Sequence, residues 1–183
     1  MTARRQWTLV IAIVLLLAGG ALAATHALRE ELFPVTLGST APQFEAATLD
    51  SGSTLRTFDD YRGKVVLLNV WATWCGPCIV EMPTIQRLHE EFAGTDLEIV
   101  AVSVDAPDTE NAIRAFVKEY GLTFDILHDP ENDITRAYQV TGYPATFVIG
   151  RDGVIRKKVI GAADWSSVGN RALVRQLLEE GGA

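Results

Sequence analysis

The chain's only two cysteines, Cys75 and Cys78, stand where the apolar run Val65–Trp71 gives way to a helical pattern, and this junction constrains the fold more than any other feature. Val65-Val66-Leu67-Leu68-Asn69-Val70-Trp71 favours β structure throughout and has the composition of a strand covered on both faces. Beyond Cys78, Ile79, Met82, Ile85, Leu88 and Phe92 recur at spacings of three and four, which predicts one apolar helical stripe with a kink at Pro83. Gly76-Pro77 suit the first turn of that helix, where proline has no N–H to waste. A Cys-x-x-Cys pair at such a start exposes one sulfur to the positive end of the helix dipole. That position favours the thiolate, so the pair reads as a reactive dithiol whose nearer sulfur attacks disulfides. A bond that merely braces a fold usually joins segments distant in sequence. A zinc site would need further ligands, and the chain has no second cysteine pair.

The flanking sequence alternates strands and helices. Ala47-Thr48-Leu49 and Thr54–Phe58 around the turn residues Asp50-Ser51-Gly52-Ser53 predict an N-terminal hairpin. Leu97–Val104 reads as a second core strand, Thr109–Tyr120 as a helix closed by Gly121, Phe124–Leu127 as a short strand and Ile134–Tyr138 as a short helix. Ala145–Ile149, the turn Gly150-Arg151-Asp152-Gly153 and Val154–Ile160 form a hairpin, with Arg156-Lys157-Lys158 discouraging edge pairing. Ser166 or Ser167 caps a last helix through Leu178, stopped by Gly181-Gly182. The pattern implies a three-layer α/β domain with a mixed central sheet.

No charge interrupts Trp7–Ala24, Arg4 and Arg5 precede it, and Arg29-Glu30-Glu31 follow. This is close to the shortest stretch that crosses a bilayer, and the leading arginines favour residues 1–6 as a cytoplasmic tail and residues 7–24 as an anchor. Gly19-Gly20-Ala21-Leu22-Ala23-Ala24 equally offers a signal-peptide cleavage site. Either version exports the rest: a linker over residues 25–38 and a domain over residues 39–183, in a compartment where disulfides persist. The formal net charge is -7 and the only charges ahead of Arg29 are positive, so the exported part is more acidic still and is a poor nucleic-acid binder.

Trp71-Ala72-Thr73-Trp74-Cys75-Gly76-Pro77-Cys78, Pro83, and Gly142-Tyr143-Pro144-Ala145-Thr146-Phe147 ahead of a strand resemble the thioredoxin fold. The N-terminal hairpin and the strand–helix insertion after the second core strand more specifically resemble the membrane-anchored TlpA, ResA and CcmG group of extracytoplasmic thiol-disulfide oxidoreductases. The resemblance implies that Cys75 is the exposed nucleophile, that Cys78 is the buried resolving thiol, and that the two cycle through a Cys75–Cys78 disulfide. It makes Pro144 the fold's cis-proline facing the cysteines. Trp74, Gly76, Pro77, Tyr143 and Gly161 become a shallow rim that receives an extended client, with Trp71 and Phe147 in the core. Glu81 lies three residues after Cys78 on the same helical face, and the group has a glutamate there with asparagine on the preceding strand, here Asn69. A carboxylate in that place accepts the thiol proton, whereas an exposed acid would only suit the helix dipole. His26, His89 and His128 read as solvated, and Asp105, Asp108 and Asp125 as turn or capping acids.

The resemblance implies no cofactor and a reductant's role, because Gly-Pro is the dipeptide of reducing thioredoxins. Clients would be disulfide-bearing proteins such as apocytochrome c during cytochrome c maturation, or a copper site of an oxidase. Electrons would come from a membrane thiol transporter. Three other readings stay open: an oxidising foldase, a peroxidase, and a Cu(I) chaperone for oxidase assembly. The last two fit less well, since peroxiredoxins lack the vicinal pair and copper chaperones of this fold space their cysteines by three and add a histidine.

Overall fold

The computed structural model describes residues 3–32, 35–49 and 54–180. The chain divides into two units, Met1–Pro34 and Val35–Ala183. In the first lies a single helix, α1 (Ala3–Leu32), with exposed side chains at Trp7 and along residues 10–24. It continues through residues that the sequence reads as linker, because between Ala21 and Pro34 the chain carries helix formers and neither glycine nor proline. Among the described residues no helix is long and apolar enough to cross a membrane.

In the second unit packing begins at Val35 rather than at Ser39. Val35 is buried, its carbonyl accepts from Lys158 Nζ at 3.3 Å, and Gly38 N–H donates to the Ile155 carbonyl at 2.9 Å. The elements follow as β1 (Glu45–Thr48), β2 (Leu55–Thr57), a 3-10 turn (Phe58–Tyr61), β3 (Val65–Trp71), α2 (Gly76–Glu91) and β4 (Leu97–Ser103). Then come α3 (Glu110–Glu119), β5 (Asp125–His128), α4 (Asp133–Ala137), β6 (Ala145–Ile149), β7 (Ile155–Ile160) and α5 (Val168–Glu179). The turn residues 50–53 of the first hairpin and the glycines of residues 181–183 lie outside the described residues.

Among the described residues one seven-stranded sheet runs in the order β2-β1-β5-β4-β3-β6-β7. β3, β4 and β5 are parallel, and every other pairing is antiparallel, giving the mixed sheet the alternation predicts. The inserted β5 joins the N-terminal hairpin to the core, pairing β4 on one side and β1 on the other. Every residue of β3 is buried, as a strand covered on both faces requires.

Side chains alternate between faces along a strand, which assigns the layers. Asn69 and Trp71 of β3 reach α2 and α3, through Glu81 and Phe116 respectively. Lys157, on the same face of β7, reaches Asn170 of α5. Helices α2, α3 and α5 thus form one layer. The opposite face carries Phe147, whose ring meets Tyr138 at 5.0 Å between centroids, and an aromatic group of Phe44, Phe58, Tyr61 and Tyr138. Gly121 closes α3 at φ +62°, a conformation glycine adopts without steric cost.

Phe147 is fully buried on the second face. Phe147→Ala is expected to lower unfolding free energy by about 3–5 kcal/mol through lost burial and a cavity, measured by urea denaturation of the oxidised protein. A loss below about 1 kcal/mol would show that this layer is not closely packed.

Candidate active site

The end of β3 delivers the chain through Ala72 and Thr73 to the start of α2. That passage is fixed by a buried acid: Asp105 Oδ2 accepts from Thr73 N–H at 2.9 Å and from Ser103 Oγ at 2.6 Å, while Oδ1 accepts from Thr73 Oγ1 at 2.6 Å. Asp105 is therefore a clamp on the cysteine loop rather than a solvated turn acid. His128 is likewise buried, not solvated, with Nε2 2.9 Å from the Asp105 carbonyl oxygen and Nδ1 3.4 Å from Glu110 Oε1. Pairing of β5 with both β1 and β4 encloses it. His89, in the last turn of α2, stacks edge-on against Phe124 and is half-buried; the side chain of His26 lies outside the described residues. Asp108 occupies a turn at φ 63°, and Asp125 accepts from Tyr61 Oη at 3.0 Å.

Cys75 is the N-cap of α2, and its Sγ accepts from Cys78 N–H at 3.2 Å. The two cysteines form a disulfide, with Cα atoms 5.2 Å apart. Cys75 retains 5% of its surface and Cys78 none, so both are buried in the oxidised protein, Cys75 the less completely. Gly76 and Pro77 are exposed beside it, and Trp74 is 65% exposed. The Trp74 ring meets Tyr143 edge-on at 5.9 Å, which brings the cysteine loop against the loop carrying Pro144. The Tyr143–Pro144 bond is cis, and the Pro144 carbonyl accepts from Gly161 N–H at 2.7 Å. Trp74 thus meets Tyr143, and Gly161 is tied to Pro144, while Gly76 and Pro77 open the first turn of α2.

Glu81 is buried, which excludes the reading of an exposed helix acid. Its Oε2 accepts from Asn69 Nδ2 at 2.9 Å; its Oε1 accepts from Ala163 N–H at 3.0 Å and from Trp165 Nε1 at 2.8 Å. Asn69 Nδ2 also donates to Thr146 Oγ1 at 2.8 Å. Burial raises the Glu81 carboxyl above its ordinary value, and the bonds from Trp165, Ala163 and Asn69 work against that rise. Trp165 and Ala163 do not emerge from the sequence pattern, because they sit on the loop between β7 and α5 far along the chain. α2 continues past Pro83, which only removes the N–H that would have bonded Ile79.

Among the described residues no group of three or more His, Cys, Asp or Glu side chains is placed to hold a metal ion. One cavity, of about 520 Å³, is lined by residues that include Arg56, Arg114 and Lys118 and by none of the cysteine-loop residues.

The raised Glu81 carboxyl carries a pH signature. Between the unfolded value, near 4.5, and the raised folded one, the folded protein holds a proton that the unfolded chain has released. Stability from that proton is complete below the unfolded value and is lost as pH rises through the folded one. In thermal melts of the oxidised protein, where no thiol titrates, wild type should lose Tm relative to Glu81→Gln as pH rises from 4 (roughly the ordinary carboxyl range). A difference independent of pH, or of opposite slope, would contradict the assignment.

A family model described as AhpC/TSA matches residues 37–158. Among relatives, the thiol-disulfide oxidoreductase ResA of Geobacillus kaustophilus is 37% identical over 82% of this chain and 84% of its own. The thioredoxin-like protein YneN of Bacillus subtilis is 37% identical over 86% of this chain and 91% of its own. A DsbE-type thiol:disulfide interchange protein of Chlorobium tepidum superposes with a TM-score of 0.66 at 26% identity, over 80% of this chain and 98% of that one. A secreted Mycobacterium tuberculosis disulfide oxidoreductase homologous to E. coli DsbE gives a TM-score of 0.61 at 25% identity, over 71% and 95%. With a Cys75–Cys78 disulfide at the head of α2 in a thioredoxin-like sheet, the chain belongs to the AhpC/TSA family and is a thiol-disulfide oxidoreductase similar to ResA.

Proposed function

We propose that this protein reduces disulfides of client proteins outside the cytoplasmic membrane. The observation that carries the reading is the asymmetry of the pair. Cys75 caps α2 beside exposed Trp74 and keeps residual access, while Cys78 is sealed in the layer that holds Glu81.

In the reduced protein the Cys75 thiolate attacks one sulfur of the client disulfide. A mixed disulfide forms and the other client sulfur leaves as a thiolate that takes a proton from water. Glu81 then accepts the Cys78 proton, and the Cys78 thiolate attacks Cys75 Sγ. The Cys75–Cys78 bond forms, the bond to the client breaks, and the client's second sulfur leaves as a thiolate that also takes a proton from water, so the client departs with two thiols. The net transfer is two electrons to the client. Rereduction by a dithiol donor restores the pair, and a membrane thiol transporter suits that role.

The rim is uncharged at Trp74, Gly76, Pro77, Tyr143 and Gly161, which suits an extended peptide read through its backbone. Apocytochrome c, with its Cys-x-x-Cys-His segment, or a copper-site subunit of an oxidase meets that requirement. The uncharged Trp7–Ala24 stretch behind Arg4 and Arg5 supports an extracytoplasmic position, by an anchor or by signal cleavage. Gly76-Pro77 supports the reducing direction over an oxidising foldase.

Cys78→Ser should trap a mixed disulfide between Cys75 and an oxidised Cys-x-x-Cys-His peptide, visible by intact mass. Cys75→Ser should trap none. An adduct on Cys78, or no adduct with either variant, would contradict the assigned order of attack.

A further inference from the structure

The loop between β7 and α5 holds Glu81 without containing any group that reacts. Trp165 is fully buried, and its backbone N–H donates to Thr84 Oγ1 at 3.0 Å, which donates in turn to the Glu81 carbonyl at 2.8 Å. The indole is therefore anchored to α2 by its backbone as well as by its Nε1–H on Glu81 Oε1. Its ring is backed by Lys157 Nζ, 5.6 Å from the centroid, which also donates to Asn170 Oδ1 at 2.6 Å. Asn170 Nδ2 donates to the Asp164 carbonyl at 2.7 Å, fixing the loop to α5.

The two carboxylate oxygens are not equivalent. Oε1 faces two groups that only donate, the Trp165 indole and the Ala163 backbone N–H, so a proton there would cost one of those bonds. Oε2 faces the Asn69 amide, whose Nδ2 donates to it and whose Oδ1 is buried with no partner among the described residues. An amide that turns over offers Oδ1 as acceptor to a protonated Oε2, which no indole or backbone N–H can do.

We propose that Trp165 is a positioning residue for the thiol chemistry, occupying Glu81 Oε1 together with the Ala163 N–H so that the Cys78 proton is taken and returned at Oε2. This rests on the reading of Glu81 as the proton acceptor of Cys78. In the resolving step the Cys78 S–H bond breaks, an O–H bond forms at Oε2, the sulfur's electron pair goes into the new bond to Cys75, and the bond from Cys75 to the client breaks with its electron pair leaving on the client sulfur. On rereduction the same proton returns to Cys78. Among the described residues the titratable or charged groups around the Glu81–Trp165 pair include Cys75 and Cys78 at the start of α2, Arg87 farther along α2, whose Nε donates to Ser166 Oγ at 3.3 Å, Lys157 on β7 and Asp164 in the loop. Asp164 is engaged by Ser166 N–H and Oγ at 2.9 and 2.6 Å, and β3 and β6 contribute only neutral Asn69 and Thr146.

Trp165→Phe keeps the ring and removes the one N–H. Reduced protein reacting with 5,5'-dithiobis(2-nitrobenzoate) releases one thiolate as Cys75 attacks and a second as Cys78 resolves, so stopped flow separates the steps. Losing a hydrogen bond to the carboxylate makes Glu81 more basic, and the pH midpoint of the second release should rise by roughly one unit. An unchanged midpoint in Trp165→Phe, with Glu81→Gln altered, overturns the role of Trp165 and leaves Glu81 in place. An unchanged Glu81→Gln profile overturns both. A wild-type measurement covers a variant that does not fold: in reduced protein, the ¹⁵N-indole resonance displaced by Glu81→Gln should titrate with the second-release midpoint. An indole resonance flat across that range overturns the proposal.

Discussion

A carboxylate placed inside the helix–sheet layer must be neutralised or surrounded by donors, and the arrangement around Glu81 meets that demand with three of them. They come from parts of the chain that local structure alone would not unite: Asn69 on β3, and Ala163 and Trp165 on the loop after β7. Satisfying one side chain therefore fixes the mutual position of β3, α2 and the connection to α5. The same residue stands one helical turn from Cys78. The polar group most costly to bury thus shares a helical face with Cys78.

A second buried acid does a parallel task on the other side of the cysteines. Asp105 ties the Thr73 backbone and hydroxyl to the end of β4, so the loop that presents Cys75 is held at its root while its tip, at Trp74, remains exposed. The cis bond before Pro144 and the Trp74–Tyr143 contact close the rim from β6. Reactivity here depends on a rigid scaffold carrying a small accessible edge, and the accessible edge is almost free of charge.

The core strands were legible because burial on both faces leaves a continuous apolar run, as at Val65–Trp71, and α2 was legible from the stripe Met82, Ile85 and Leu88. The cysteines, Pro144 and the place of Glu81 could be read from local motifs. What surrounds Glu81 could not. Trp165 stands 84 residues away in a loop, where no periodicity says which way a ring faces. The burial of His128 is hidden from the sequence for a related reason, since it depends on β5 pairing two strands that are distant in sequence. The helix through Leu32 was missed because residues 25–32 lack an apolar period, although their intrinsic propensity favours helix.

The direction in which the Cys75–Cys78 pair passes electrons is read from its equilibrium titration against dithiothreitol and glutathione buffers. A pair that reduces its clients should show a potential near that of reducing thioredoxins, about -270 mV. A potential near about -120 mV, that of a strong disulfide-forming oxidant, would contradict it.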